Sequence, residues 1–145
     1  MNGGHYAQLF KVQNGLCVYC DMPFATREEY EAVAHLMTAT SHVYNDEHSI
    51  FPTIDHVMPR VYWDNGGAKN YVLACAFCNV QKCDMIASEY ILKYHKGIVK
   101  PQLEAALKFI NYPFTADLLR RCSTGKRAQE TLTCPPRLKL SSSSL

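Results

Sequence analysis

The chain has no apolar run near the ~20 residues that a bilayer-spanning helix requires. Its opening residues, MNGGHYAQLFKVQNG, lack the basic region and long apolar stretch of a secretory signal. A cytoplasmic, soluble protein with no membrane partner is the expectation. Charge of one sign is not in excess either: the formal net charge is +2. That excludes a uniformly basic nucleic-acid binder. No internal repeat is visible, and 145 residues suit one compact domain with at most a small satellite.

Hydrophobic residues make up 48%, enough for a core, and charged residues 19%. The charge is unevenly placed. Residues 80–145 hold 11 Lys/Arg against 5 Asp/Glu, whereas residues 1–79 hold 4 against 8. A C-terminal half that meets phosphates would look like this, and so would solvated helix faces. There are seven cysteines: Cys17, Cys20, Cys75, Cys78, Cys83, Cys122 and Cys134. An odd count without an export signal argues against a disulfide framework and for metal binding.

Periodicity and punctuation predict helices over 5–13 (ending before Gly15), 26–39, 76 to about 95, 101–110 and 114–122. Thr26 and Glu29 form a capping box at the start of the second. FPTIDHV (51–57) and YVLAC (71–75) read as strands, and 59–70, with Pro59, Gly66 and Gly67, as an irregular loop. Residues 38–50 read as a loop. The organisation expected is a domain over 1–98 with an insert at about 24–52, a helical extension over 99–124 and a flexible tail over 125–145 ending in SSSSL.

Cys17-x2-Cys20 and Cys75-x2-Cys78 each have the spacing that lets two sulfurs reach one ion from a single turn. Four thiolates make a closed tetrahedral shell, the structural type of zinc site. Four buried thiols acting as small apolar side chains would be the plain alternative. A redox dithiol fits poorly, since CVYC and CAFC lack a surrounding βαβ pattern. Cys83, Cys122 and Cys134 have no partner spacing. Zinc here would tie the N-terminal turn to the strand–helix junction at Cys75.

Between the cysteine pairs runs a further pattern: Asp55-His56-x2-Pro59, Gly66-Gly67, Asn70, then Cys75-x2-Cys78-Asn79-x2-Lys82. This pattern closely resembles the HNH endonuclease family, in the version with four zinc cysteines and asparagine at the third signature position. The resemblance covers residues 15 to about 95. It implies an α+β fold, a small ββα-metal core with a structural four-cysteine zinc site surrounded by additional helices. It also implies a role for Asn70 in orienting the loop near His56.

The residue types suit phosphodiester hydrolysis. A divalent Lewis acid, Mg²⁺ or Mn²⁺, can stabilise the phosphorane and the leaving oxygen. Hard ions take oxygen ligands and keep several waters, so one or two protein oxygens suffice. Asp55 offers a carboxylate and Asn79 an amide oxygen. His56, with an ordinary pKa near 6.5, can accept a proton from water. Lys82, Arg60 and Lys93 are candidate contacts to DNA phosphates. Adjacent strand residues point to opposite faces, so Asp55 and His56 share one phosphate only if the strand ends or bends there.

The sequence departs from the family pattern at Cys83, in the 24–52 insert, and in the bulky Tyr62 and Trp63 of the loop. The implied activity is metal-dependent hydrolysis of DNA that leaves a 5′-phosphate. One site cuts one strand, so a double-strand break requires two visits, a homodimer or another protein partner. A non-catalytic zinc module that binds nucleic acid or protein accounts for the cysteines and charge. It gives no reason for Asp55, His56, Asn70 and Asn79 occurring together. Taken singly, each of these has a plain reading: a hydrogen-bonded Asp–His pair, a turn residue, a helix cap.

Overall fold

A computed structural model describes residues 3–26, 28–29 and 51–129. The fold is α+β: helices packed around a two-stranded antiparallel sheet. Among the described residues no helix is long and apolar enough to cross a membrane. The capping box is present at its two ends, with Glu29 N–H donating to Thr26 Oγ1 at 3.2 Å. The rest of the 26–39 helix and the 38–50 loop lie outside the described residues.

Helix α1 spans Gly3–Val12. It ends where Asn14 and Gly15 turn to φ 56° and 66°, and Gly15 N–H returns to the Phe10 carbonyl at 2.9 Å. Glycine suits this position, because left-handed backbone is strained with a side chain and a Cβ would press the Phe10 ring at 3.2 Å. The next residues form a knuckle closed by a Leu16–Pro23 bridge and by Cys17 N–H on the Met22 carbonyl at 2.9 Å.

Strand β1 (Pro52–His56) pairs with β2 (Tyr71–Cys75), running from Pro52↔Cys75 to His56↔Tyr71. Val72, Leu73 and Ala74 are fully buried, so both faces of β2 are covered. On its free edge the buried Gln13 amide stands in for a third strand. It donates to the Leu73 carbonyl and accepts from Leu73 N–H, both at 2.9 Å. Between the strands, 57–66 is a loop and Gly67–Asn70 a 3-10 turn. Trp63 packs edge-on against Tyr112 and Phe114, at 6.1 and 5.3 Å between rings, so it joins the loop to the C-terminal helices.

The helix predicted from 76 to about 95 is two helices, α2 (Ala76–Lys82) and α3 (Ala87–Tyr94). The chain breaks at Cys83, whose φ is 50° and ψ −125°. Apolar periodicity runs through the break, but tertiary hydrogen bonding overrides it: Ala87 N–H donates to the Val57 carbonyl at 2.9 Å. That bond ties the start of α3 to the residue after His56.

Helix α4 (Pro101–Ile110) starts with proline in its first turn, where no N–H is required, and ends at left-handed Asn111. Helix α5 runs Thr115–Gln129, beyond the predicted end at 122 and into the segment expected to be a flexible tail. Residues 130–145 lie outside the described residues. One core joins all these pieces: Leu9, Val18, Val72, Tyr90, Leu103, Leu107 and Leu118 belong to a single buried cluster. Each fully buried aliphatic side chain contributes ~1.5–3 kcal/mol.

Candidate functional site

The knuckle and the β2–α2 junction bring Cys17, Cys20, Cys75 and Cys78 together, with their sulfurs all within 4.8 Å of one another. Three are buried and Cys20 is exposed. Cys20 and Cys75 sulfurs are 3.6 Å apart. Tetrahedral thiolates about 2.3 Å from an ion lie about 3.8 Å apart, whereas a disulfide would need ~2 Å. The four can therefore hold a structural metal ion such as zinc.

Backbone amides already point at the sulfurs. Cys75 N–H reaches Cys17 Sγ at 3.3 Å and Cys78 N–H reaches Cys75 Sγ at 3.4 Å. Crowding splits the thiols. Cys75 is brought down to about 7, first by its hydrogen bond with Cys17. Cys20 is also lowered, chiefly by Cys17, while Cys17 and Cys78 are pushed up by their hydrogen bonds to neighbouring sulfurs. Four thiolates this close repel; a dication removes the conflict.

The knuckle is braced from outside. Gln102, at the start of α4, donates to the Cys17 carbonyl at 2.9 Å and to Asp21 Oδ1 at 2.5 Å, and Lys100 meets Asp21 Oδ2 at 2.7 Å. Cys83 stands outside the four-sulfur group, and Cys122 is buried in the core. Cys134 lies outside the described residues.

Next to the cluster, Asp55 is 3% exposed at the end of β1. Tyr19 Oη donates to its Oδ2 at 2.6 Å, and Lys82 Nζ donates to its Oδ1 at 3.1 Å. The same ammonium donates to the His56 carbonyl at 2.7 Å. The sequence makes Lys82 a candidate contact to a DNA phosphate. Instead it is 1% exposed and turned inward, because the buried carboxylate requires a counter-charge.

His56 is half-buried, its ring edge-on to Tyr71 at 4.9 Å. Burial lowers its pKa, Asp55 raises it, and the Arg60 and Lys82 charges lower it, with a net fall that favours the neutral imidazole. Asn79, on the first turns of α2, donates its amide to Thr53 Oγ1 at 3.0 Å and to the Ile54 carbonyl at 3.2 Å. Its Oδ1 faces away from these acceptors and has no partner among the described residues.

Strand β1 ends at His56 and the chain turns. Asp55, His56 and Asn79 thereby line one open cavity of about 200 Å³, together with Arg60, Lys82 and Cys83. Asn70 does not reach the cavity. It is buried behind the loop, accepting from Met58 N–H at 2.8 Å and donating to the Met58 carbonyl at 2.7 Å, two residues past His56. Gly66 makes room for this: a Cβ there would lie 2.8 Å from both Asn70 and Trp63.

Arg60 is on the rim, exposed and paired with Asp64 at 3.3 Å. Lys93 is exposed on α3, its ammonium 5.3 Å from the centre of the Tyr94 ring, away from the cavity lining. His95 caps α3, where a charged group would suit the helix end. It is instead half-buried beside Tyr19 and Tyr90, and burial lowers its pKa.

Sequence reasoning missed Tyr19. Its position inside CVYC was visible, but nothing in the spacing says that its hydroxyl reaches a carboxylate 36 residues away. Compared with known proteins, the chain matches no family model, no curated protein and no solved structure.

Proposed function

We propose that this chain is a metal-dependent endonuclease of the HNH type that hydrolyses DNA phosphodiester bonds one strand at a time. One observation carries the reading: Asp55, His56 and Asn79, from two separated stretches, line a single open cavity. The strand–loop–strand–helix order from β1 to α2 also supports it, as does a cysteine cluster fit for structural zinc.

The residues present suit a hard divalent cation. Each Asp55 oxygen holds one protein donor and keeps a second lone pair, and Asn79 Oδ1 has no other partner among the described residues. Asp55 and Asn79 would hold Mg²⁺ or Mn²⁺, which when bound supplies Lewis-acid stabilisation of the phosphorane and the leaving 3′-oxygen. His56 takes the proton of the attacking water on a ring nitrogen, and its lowered pKa keeps that nitrogen free near neutral pH. Asn70 fixes the Met58 backbone and with it the turn after His56. The product keeps a 5′-phosphate.

Contact to the DNA backbone falls to Arg60 on the cavity rim; Lys93 and Lys96 are exposed but lie outside the cavity lining. Lys100, Arg120 and Arg121 are already engaged by Asp21 and Asp117 and are not assigned to DNA.

One observation favours the rival reading of a non-catalytic zinc module: both Asp55 oxygens are gripped by protein donors, as in a structural ion pair. Plasmid nicking separates the two. Zinc-loaded protein with Mg²⁺ or Mn²⁺ is expected to relax supercoiled plasmid, and His56→Ala to slow it ~10²–10⁴-fold. Wild type that binds DNA yet never nicks under any divalent ion establishes the binding module.

A further inference from the structure

Asp55 is held from two sides, and the two holders come from the two halves of the cysteine cluster. Tyr19 lies between Cys17 and Cys20 and donates to Oδ2 at 2.6 Å. Lys82 closes α2, the helix capped by Cys75 and containing Cys78, and donates to Oδ1 at 3.1 Å. All three side chains are buried, at 1%, 1% and 3% exposure for Tyr19, Lys82 and Asp55. Tyr19 is itself locked by an edge-on contact with Tyr90 at 5.0 Å.

The geometry has a mechanical consequence. The last torsion of an aspartate side chain is soft, so a single donor leaves the carboxylate free to swing. Donors on both oxygens fix its plane. Both bonds are charge-assisted and desolvated, which makes them strong. If the knuckle opens, Tyr19 leaves with Cys17 and Cys20 and Oδ2 loses its donor. If α2 shifts at Cys78, Lys82 moves with it.

We propose that Tyr19 and Lys82 are positioning residues through which the cysteine cluster aims Asp55, so that cluster and carboxylate are energetically coupled. The catalytic consequence rests on the nuclease reading; the coupling itself does not. Coupling is reciprocal. Asp55 is not a ligand of the cluster, yet loosening it must loosen the knuckle.

The decisive measurement is zinc release from the zinc-loaded full chain to a colorimetric chelator. It compares wild type, Tyr19→Phe, Asp55→Asn and the double variant. Each single substitution is expected to speed release about tenfold, and the double no more than the faster single, because both break one link. Asn70→Ala, which loosens the cavity loop without touching Asp55, is expected to release zinc at the wild-type rate and so separates coupling from general destabilisation. Asp55→Asn at the wild-type rate, or single effects that multiply in the double variant, overturns the proposal.

A second readout is catalytic. Tyr19→Phe is expected to lower kcat for nicking about tenfold, leave KM for DNA within about twofold, and have no further effect in an Asp55→Asn background. A wild type that never nicks but shows the zinc-release coupling defeats the nuclease reading and upholds this one. Nicking without the coupling defeats this proposal alone.

Discussion

The cysteine cluster and the Asp55–His56–Asn79 cavity share helix α2 and differ in almost everything else. The cluster is built from four like groups in two local pairs, mostly buried and braced by backbone amides. The cavity is lined by unlike groups, Asp55, His56 and Asn79 among them, and is open to solvent; Asn79 there uses only its amide nitrogen in hydrogen bonds among the described residues. A closed shell of four soft ligands suits an ion that only holds structure. An open site with few oxygen donors suits an ion that keeps water and meets a substrate. Removing the first should therefore cost the fold, and altering the second should cost chemistry while sparing the fold.

The largest expected effect tests the first half of that contrast. Structural zinc contributes about 10–16 kcal/mol in small zinc modules, comparable to the whole ~5–15 kcal/mol stability of a domain. Cys78→Ser is expected to abolish cooperative unfolding by circular dichroism at ambient temperature, with zinc lost by elemental analysis. A cooperative melt without zinc would show that the cluster is only four packed thiols.

His56→Ala tests the second half: a ~10²–10⁴-fold drop in nicking with a melting temperature close to wild type. A similar drop accompanied by unfolding would make His56 a structural group.

Next in size come two ion pairs whose cations, Lys82 and Arg60, both line the cavity. Lys82→Met leaves Asp55 buried without its counter-charge, and urea denaturation is expected to show a loss of about 3–5 kcal/mol. Arg60→Ala removes a pair whose side chains are each 71% exposed, and is expected to change stability by less than about 1 kcal/mol. Equal effects would mean that Lys82 reaches water more freely than its 1% exposure implies.

The smallest effect is in pH. His56 binds its proton more weakly in the folded chain than in the unfolded one, chiefly through burial. Its contribution to stability is therefore complete above the unfolded value of about 6.5 and declines as pH falls below it. The nicking rate, which needs the neutral ring, is expected to have its acid limb below about 6.5 as well. An acid limb above that value would assign the base to another group.

The same contrast governs what the sequence made legible. The cysteine pairs are local, so spacing alone brought each pair together, and only the joining of the two pairs required a fold. Strands β1 and β2 were visible because β-branched and apolar residues dominate PTI and YVLA between turn residues. The gripping of Asp55 was hidden, because it depends on partners 36 and 27 residues away. Lysine is ordinarily solvated, so Lys82 read as a surface group until its carboxylate was in place. The break between α2 and α3 was hidden for a related reason. Its cause is the Val57 carbonyl, which no pattern inside residues 76–95 records. Local signals placed the elements; long-range polar bonds decided which side chains face the cavity.

The most direct test of the central claim is an anomalous-scattering map from crystals of the zinc-loaded protein soaked in Mn²⁺. A manganese peak about 2 Å from an Asp55 carboxylate oxygen and from Asn79 Oδ1, inside the cavity beside His56, is the expected result. A cavity without manganese, with Asp55 still held only by Tyr19 and Lys82, would contradict the account.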